Sequence, residues 1–324
     1  MLRLFRGNLR RYSTVTGPNI VKTVSELRKW RIEQLKQSRT VGLVPTMGAL
    51  HQGHLNLVSQ SLRENDVTVV SIFVNPSQFA PTEDLNTYPR TLDKDLEKLS
   101  QISNPESDLT VFLPSVQEMY PSGITLDVNE QTGAFVEVKG LSNQLEGAIR
   151  PQFFRGVATV VTKLFNVVTP ERAYFGQKDA QQSVVVKRLA RDLLLPTEVV
   201  VAPTAREPSG LAMSSRNDYL SPEVRQKAGI FYEALSAAHK LYKDRNAETP
   251  RNDILDAVYA TLNPLTKPND DFSIEIEYIA LSDKHSLKEV DSVEPGSGAI
   301  LSGAIKVPNK NGGKTRIIDN IFFD

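Results

Sequence analysis

No cysteine occurs in the 324 residues, which excludes disulfides, thiolate metal sites and a cysteine nucleophile and leaves oxygen and histidine as metal ligands. Net charge is missing too. Lys plus Arg number 38 and Asp plus Glu number 38, so no overall field draws the chain to nucleic acid or an anionic membrane surface. Small molecules are the expected partners, with no nucleic acid and no membrane among them. No apolar run approaches the roughly 20 residues that cross a bilayer, and the mature protein is expected to be soluble. Repeats at solenoid periods and low-complexity segments are absent as well. Histidine is scarce, at four residues.

What the chain does have is apolar sequence, 40% of residues, at a length beyond that of a usual single domain. Two domains are expected, over residues 18–203 and 204–324, behind an amino-terminal segment of residues 1–17. That segment carries Arg3, Arg6, Arg10 and Arg11 with hydroxyl residues and no carboxylate before Glu26, the composition of a mitochondrial presequence. Arg10-Arg11-Tyr12-Ser13 also looks like a matrix-protease cleavage site. A basic disordered tail on a cytoplasmic protein fits the same composition, and both localisations stay open.

From residue 40 onward, short β-branched runs alternate with helical periodicity, the pattern of a parallel sheet covered on both faces. Thr40–Val44 reads as a strand, Leu55, Val58 and Leu62 as one helix face, and Val67–Val74 as a strand buried on both sides, which completes a βαβ unit. Leu92, Leu96 and Leu99 predict a helix and Val111–Leu113 a short strand. Val157, Val160, Val161, Leu164 and Val168 predict a long helix that Pro170 helps to end. Ala173–Phe175 and Glu198–Val201 add strands on either side of a helix carrying Val184, Val185 and Leu189. The fold class is therefore α/β, a Rossmann-like doubly wound parallel sheet. Beyond Pro203, helices over 222–245 and 251–262 precede strands over Phe272–Ala280, Gly298–Lys306 and Thr315–Phe323, with a hairpin loop over Pro308–Gly313. Helices followed by strands predict a second, smaller α+β domain.

The segment PTMGALHQGH, residues 45–54, joins the first strand to the first helix of the βαβ unit. A loop entering a helix at the carboxyl edge of a parallel sheet presents backbone N–H groups and the positive end of the helix dipole, so it favours phosphate. Gly48 and Gly53 let the main chain approach a ligand closely. His51 and His54 can face one ligand, and each can donate to a phosphoryl oxygen. A bare HxGH arises by chance often enough that the rest of the chain has to decide.

It decides by order. PTMGALHQGH resembles the HxGH signature of the nucleotidylyltransferase superfamily, in the form shown by the pantothenate synthetases. IFVNPSQFAPTEDLNTYPRT (72–91) looks like that family's pantoate-site segment, LEGAIRPQFFRGVATVVTKLFN (145–166) like its central helix, and YFGQKDAQQ (174–182) like its phosphate and pantoate loop. REPSGLAMSSRN (206–217) is similar to the flexible signature loop of class I aminoacyl-tRNA synthetases, with Met213-Ser214-Ser215-Arg216 in place of the lysine motif. Five segments in one order across residues 45–217 are far more specific than any one of them.

The resemblance implies an ATP-dependent ligase that joins pantoate to β-alanine through a pantoyl adenylate, using ATP and Mg²⁺, and that forms a homodimer. It implies catalytic roles for His51, His54, Lys178 and Arg216. ATP contacts would come from Met47, Gly48, Ala49, Leu50, His51, Gly53, His54, Gly176, Gln177, Lys178, Asp179, Ala205, Met213, Ser214, Ser215 and Arg216. Gln78 and Gln182 would hold pantoate, with Gln78 also in reach of β-alanine. The residue types suit this chemistry. Pantoate brings its own carboxylate nucleophile, so the protein's task is to neutralise charge building on the phosphates. Amides can bind carboxylates and hydroxyls without adding a charge that repels either substrate.

Several residues keep two readings. Arg150 is a phosphate contact or a surface residue, and Asn75 orients its turn or meets β-alanine. Asp93 and Asp95 are either partners of the helix dipole or support a metal whose direct ligands are unknown. Gln177 stands where many bacterial members carry Glu, Phe153 where His is common and Ala205 where Val is common, which suggests a fungal-like branch. Mg²⁺ is then expected to arrive on ATP. The alternatives are another HxGH nucleotidylyltransferase and a catalytically silent nucleotide-binding protein. The Gln78 and Gln182 segments argue against the first, and retention of both histidines, Lys178 and Ser214-Ser215-Arg216 against the second. Gly313-Lys314-Thr315 resembles the end of a P-loop, but Pro308 occupies the upstream glycine position.

Overall fold

The computed structural model describes residues 18–81, 85–102, 108–267 and 272–324; the targeting segment expected over residues 1–17 lies outside them. The chain runs β1 (Asn19–Val21), α1 (Val24–Lys36), β2 (Val41–Thr46), α2 (Gln52–Glu64), β3 (Val67–Ile72), α3 (Leu92–Ile102) and β4 (Asp108–Phe112). It continues through α4 (Val116–Met119), α5 (Glu146–Ile149), α6 (Phe153–Val168), β5 (Arg172–Gly176), α7 (Ala180–Asp192) and β6 (Glu198–Ala202). These six strands form one sheet in the order β1-β4-β3-β2-β5-β6, and every pairing is parallel.

Alternation along the strands explains the two layers of helices. Val41, Leu43, Val67 and Val69 face α6, whose Val157, Val161, Leu164 and Val168 fill that side, while Val44, Val70 and Ile72 face Leu57, Val58 and Leu99 of α2 and α3. Gly42 sits where α2 comes closest to the sheet. A Cβ there would stand 2.0 Å from Ser61 Oγ and 2.6 Å from Asn65 Nδ2, so the missing side chain lets α2 press onto β2. The order of the strands also locates the site. The chain moves from β2 to β3 and β4 on one side, then returns to place β5 and β6 on the other, so the sheet reverses between β2 and β5. The crevice beyond their carboxyl ends, between the loops after Thr46 and Gly176, is where such sheets bind ligands.

The rest of the chain supplies α8 (Pro222–Lys227), α9 (Ile230–Arg245), β7 (Thr249–Pro250), α10 (Arg251–Leu262), β8 (Glu275–Asp283), β9 (Ser292–Val293), β10 (Ala299–Pro308) and β11 (Lys314–Phe323). β8, β10 and β11 form an antiparallel sheet, and Pro308 pairs with Lys314 across the predicted hairpin loop. α9 and α10 cover this sheet around Phe231, Leu235, Ile254, Val258, Leu301 and Ile305, a core drawn entirely from residues 211–323. A separate cluster joins the two parts, with Leu287 and Ile300 packed among Val138, Leu141, Phe154, Val185 and Leu189.

The α/β class with a smaller antiparallel part is as expected, and the differences have local causes. β1 has three residues and pairs only with β4, too short to show a period. The helix expected over 222–245 is interrupted at Gly229, where a Cβ would lie 1.9 Å from Ser209 O, so a neighbouring loop occupies that face. The strand expected from Phe272 begins at Glu275.

Candidate active site

The turn after β2 is built from side chains as much as from backbone. Gly48 and Ala49 have φ of +84° and +49°, in the left-handed region. Asp95, at the start of α3 and 1% exposed, holds that turn: its Oδ2 accepts from Ala49 N at 2.9 Å and its Oδ1 from Leu50 N at 2.8 Å. Thr91 Oγ1 donates to the same carboxylate at 3.2 Å. Gly48 N donates to Thr46 Oγ1 at 3.2 Å, and Thr46 Oγ1 donates to Ser71 O at 2.7 Å. Asp95 therefore ties α3 to the HxGH turn.

The two histidines cap the helix they begin. His51 Nδ1 accepts from Gly53 N at 3.1 Å, and His54 Nδ1 accepts from His51 N at 3.4 Å. An acceptor Nδ1 in a neutral ring leaves the proton on Nε2, so both rings become donors at their far nitrogen. Burial and nearby Lys178 press His51 down to about 4, and burial with His51 and Lys178 holds His54 well below the ordinary histidine range. The rings lie 4.1 Å apart, centroid to centroid. A Cβ on Gly53 would stand 2.8 Å from His51 Cε1, so this glycine is the space the ring needs. The amides of Gly48, Ala49, Leu50, His51 and Gly53 are engaged within the turn, so the side-chain donors that the turn itself offers to a ligand are its imidazole N–H groups.

Both rings open onto a cavity of about 490 Å³. Met47, Gly53, Gln78, Arg150, Gly176, Lys178, Asp179, Gln182, Ala205, Met213, Ser214, Ser215 and Arg216 share its walls. Gly48, Ala49 and Leu50 lie behind the wall, with Leu50 1% exposed. Gln177 also faces away; its Nε2 donates to Asn320 Oδ1 at 3.4 Å. Asn75 orients its turn, as one reading had it: its Nδ2 donates to Gln78 Oε1 at 3.0 Å and to Gly156 O at 3.2 Å. That leaves the Gln78 amide nitrogen as the end available to a ligand. Tyr120 and Ser77 complete the network by donating to Asn75 Oδ1 at 2.6 and 3.1 Å. Arg150 donates to Gln78 O at 3.3 Å and lies over the Phe153 ring at 3.9 Å, so the phenyl in place of histidine serves as a guanidinium platform.

Sequence reasoning missed the far wall. Tyr278, Ser302 and Arg316 to Asn320 reach the cavity from the antiparallel sheet. Arg316 donates to Glu146 Oε2 and Oε1 at 2.5 and 2.8 Å, and Tyr278 OH donates to Glu146 Oε1 at 2.7 Å, closing the second part over the first. Gln181, 5% exposed, braces Glu146 from behind by accepting from its N at 3.0 Å and donating to Leu141 O and Gln144 O. Among the described residues no group of three or more His, Cys, Asp or Glu side chains could hold a metal ion.

The crevice at the sheet's reversal point is thus lined by two neutral imidazoles, Lys178, three arginines and side-chain amides that include Gln78 and Gln182, a pocket suited to an anionic ligand. A family model described as pantoate–β-alanine ligase matches residues 19–322. The pantoate–β-alanine ligase of Saccharomyces cerevisiae is 45% identical over 312 residues, covering 93% of this chain and 99% of that protein. A pantothenate synthetase of Herpetosiphon aurantiacus is 47% identical over 304 residues, with coverage of 93% and 99%. The crystal structure of pantothenate synthetase from Thermus thermophilus superposes with a TM-score of 0.77 at 41% identity, covering 94% of this chain and 98% of that one. That of the Francisella tularensis ligase, complexed with β-γ ATP and β-alanine, gives 0.68 at 31%, covering 94% and 97%. The chain belongs to the pantoate–β-alanine ligase family.

Because the folded values of both histidines are depressed, the unfolded chain binds protons there that the folded chain does not. Stability from this pair is complete above about pH 6.5 and falls as pH drops towards 4. Nitrogen-resolved NMR of the histidine side chains should show His51 and His54 as neutral Nε2–H tautomers from about pH 8 to about 5. Titration of either ring near 6.5 would contradict the geometry.

Proposed function

We propose that the protein condenses (R)-pantoate with β-alanine in two steps, giving pantothenate, AMP and pyrophosphate through an enzyme-held pantoyl adenylate. It is an amide-forming ligase by family. The reading rests above all on one observation: two neutral imidazole donors share a cavity with Lys178, Arg216 and the oriented amide of Gln78.

In the first step a carboxylate oxygen of pantoate attacks the α-phosphorus of ATP, and the bond to pyrophosphate breaks. Negative charge builds on the phosphoryl oxygens and the leaving group. His51 and His54 would donate there through Nε2–H, and Lys178, Arg216, Ser214 and Ser215 would hold the phosphates. With pKa values far below neutrality the histidines act as fixed hydrogen-bond donors and not as proton shuttles. Met47, Gly53, Gly176, Asp179, Ala205 and Met213 would shape the nucleotide's seat, with Gly48, Ala49, Leu50 and Gln177 as its backing. Gln78 and Gln182 would hold pantoate. In the second step the amine of β-alanine, near Gln78, attacks the acyl carbon, AMP leaves with its electron pair, and the amine loses a proton. Mg²⁺ would arrive on the ATP phosphates as part of the substrate, in keeping with its preference for phosphate and water ligands.

A homodimer belongs to the same proposal, to be checked by light scattering. Among the described residues no helix is long and apolar enough to cross a membrane. Cytoplasm and mitochondrial matrix are the two proposed addresses, separable with a fluorescent fusion carrying or lacking residues 1–17.

Incubation with ATP, Mg²⁺ and pantoate should yield pantoyl adenylate by mass spectrometry, and added β-alanine should convert it to pantothenate and AMP. His54→Ala should fold and lose about 100- to 1,000-fold in adenylation, while Gln182→Ala should weaken pantoate more than ATP. ATP binding without either product would overturn the assignment, and unchanged adenylation in His54→Ala would remove that residue from it.

A further inference from the structure

We infer that Asp319 and Asn320, neighbours on β11, are positioning residues that hold the two phosphate-facing loops, 176–179 and 206–217, at a fixed spacing. The inference deepens the proposed reading of the cavity as an ATP site and rests on it. Asn320 is 2% exposed, and its Nδ2 donates to two consecutive carbonyls, Gln177 O at 2.9 Å and Lys178 O at 2.8 Å. Its own backbone N donates to Asp319 Oδ1 at 2.8 Å. Asp319, 3% exposed, accepts the fork of Arg206, with Nη1 to Oδ2 at 2.6 Å and Nη2 to Oδ1 at 3.0 Å. Arg206 opens the loop that carries Ser214, Ser215 and Arg216. It is fixed there by a donation to Gly210 O at 3.0 Å, by a bridge to Ala212 and by the Tyr232 ring, 3.4 Å from its guanidinium carbon.

The result is an unbroken path from the Lys178 backbone through Asn320, Asp319 and Arg206 to the Ser214–Arg216 loop. Neither end can shift alone. Movement of the Lys178 loop would leave two carbonyls and a buried amide unsatisfied, and movement of the other loop would strand a buried carboxylate. β11 belongs to the antiparallel sheet, so the spacing of the cationic groups is set when that sheet is docked. Asn320 acts through Lys178 and touches no reacting atom, so its loss misplaces the lysine and leaves the acyl pocket intact.

The test is a double-mutant cycle in the full-length enzyme, read as pantoate-dependent exchange of labelled pyrophosphate into ATP. Asn320→Ala should slow exchange about 10- to 100-fold at saturating substrate, the cost of a misplaced group, with half-saturating pantoate changed by less than about twofold. Added to Lys178→Ala it should cost less than about threefold more, because the residue it positions is already gone. Multiplication of the two effects, or a loss confined to pantoate affinity, would overturn the inference. Absence of exchange in the unaltered enzyme would instead overturn the reading of the site. If circular dichroism shows that Asn320→Ala does not fold, Arg206→Lys takes its place and is paired with Arg216→Ala, the cation of the loop that Arg206 holds, since lysine keeps the charge and loses the fork.

Discussion

A single buried carboxylate, Asp95, accepts the two amides that the left-handed turn at Gly48 and Ala49 turns inward. Without it, that turn would expose two unpaired N–H groups to the core and carry the strain of an alanine at positive φ. With it, the chain leaves β2, reverses and enters α2 with His51 at the cap. The rings then settle the remaining amides, and the direction of their free N–H follows from that. Site chemistry thus depends on a carboxylate that touches no ligand. A charge-assisted bond from a carboxylate to backbone N–H is about twice as strong as a neutral one, which suits the two amides that no side chain of the turn itself reaches.

Charge is managed in the same way around the cavity. Glu146 is committed to Arg316 and Tyr278, and Asp319 to Arg206, so these carboxylates lend order without repelling an anionic ligand. Burial, and then the charge of Glu146, raises the Tyr278 hydroxyl above its ordinary range and keeps it a donor. Arg316 also holds Glu277 of its own sheet at 2.5 Å, so parting of the two sheets would not strand its charge.

Much of this was legible in the sequence because it is written locally. Strand alternation, helix faces, the HxGH turn and the amide-bearing segments are contiguous, and each carries its own period or residue type. The far wall was not legible. Asn320 meets Gln177 across 143 positions, and no spacing rule connects them. One signal was available: Asp319 and Asn320 stand together inside the apolar run of β11, where a strand with one wet face would bury only alternate residues, and both are buried. The hold of Asp95 on the turn was not legible, because an acidic residue in a first helical turn shows only its relation to its own helix, and Ala49 and Leu50 lie 46 and 45 positions away. The break at Gly229 depends on a loop carbonyl that only the folded chain brings there.

Asp95→Asn tests the central claim most directly. The substitution keeps size and shape, removes the charge and turns one acceptor into a donor that faces a backbone N–H. The measurement is pantoate-dependent pyrophosphate exchange together with the thermal midpoint of the purified variant. The account predicts a folded protein whose exchange rate falls by about 10-fold or more, since the turn that aims both imidazoles is no longer held. Exchange at the unaltered rate in a folded Asp95→Asn variant would show that the histidines find their places without it.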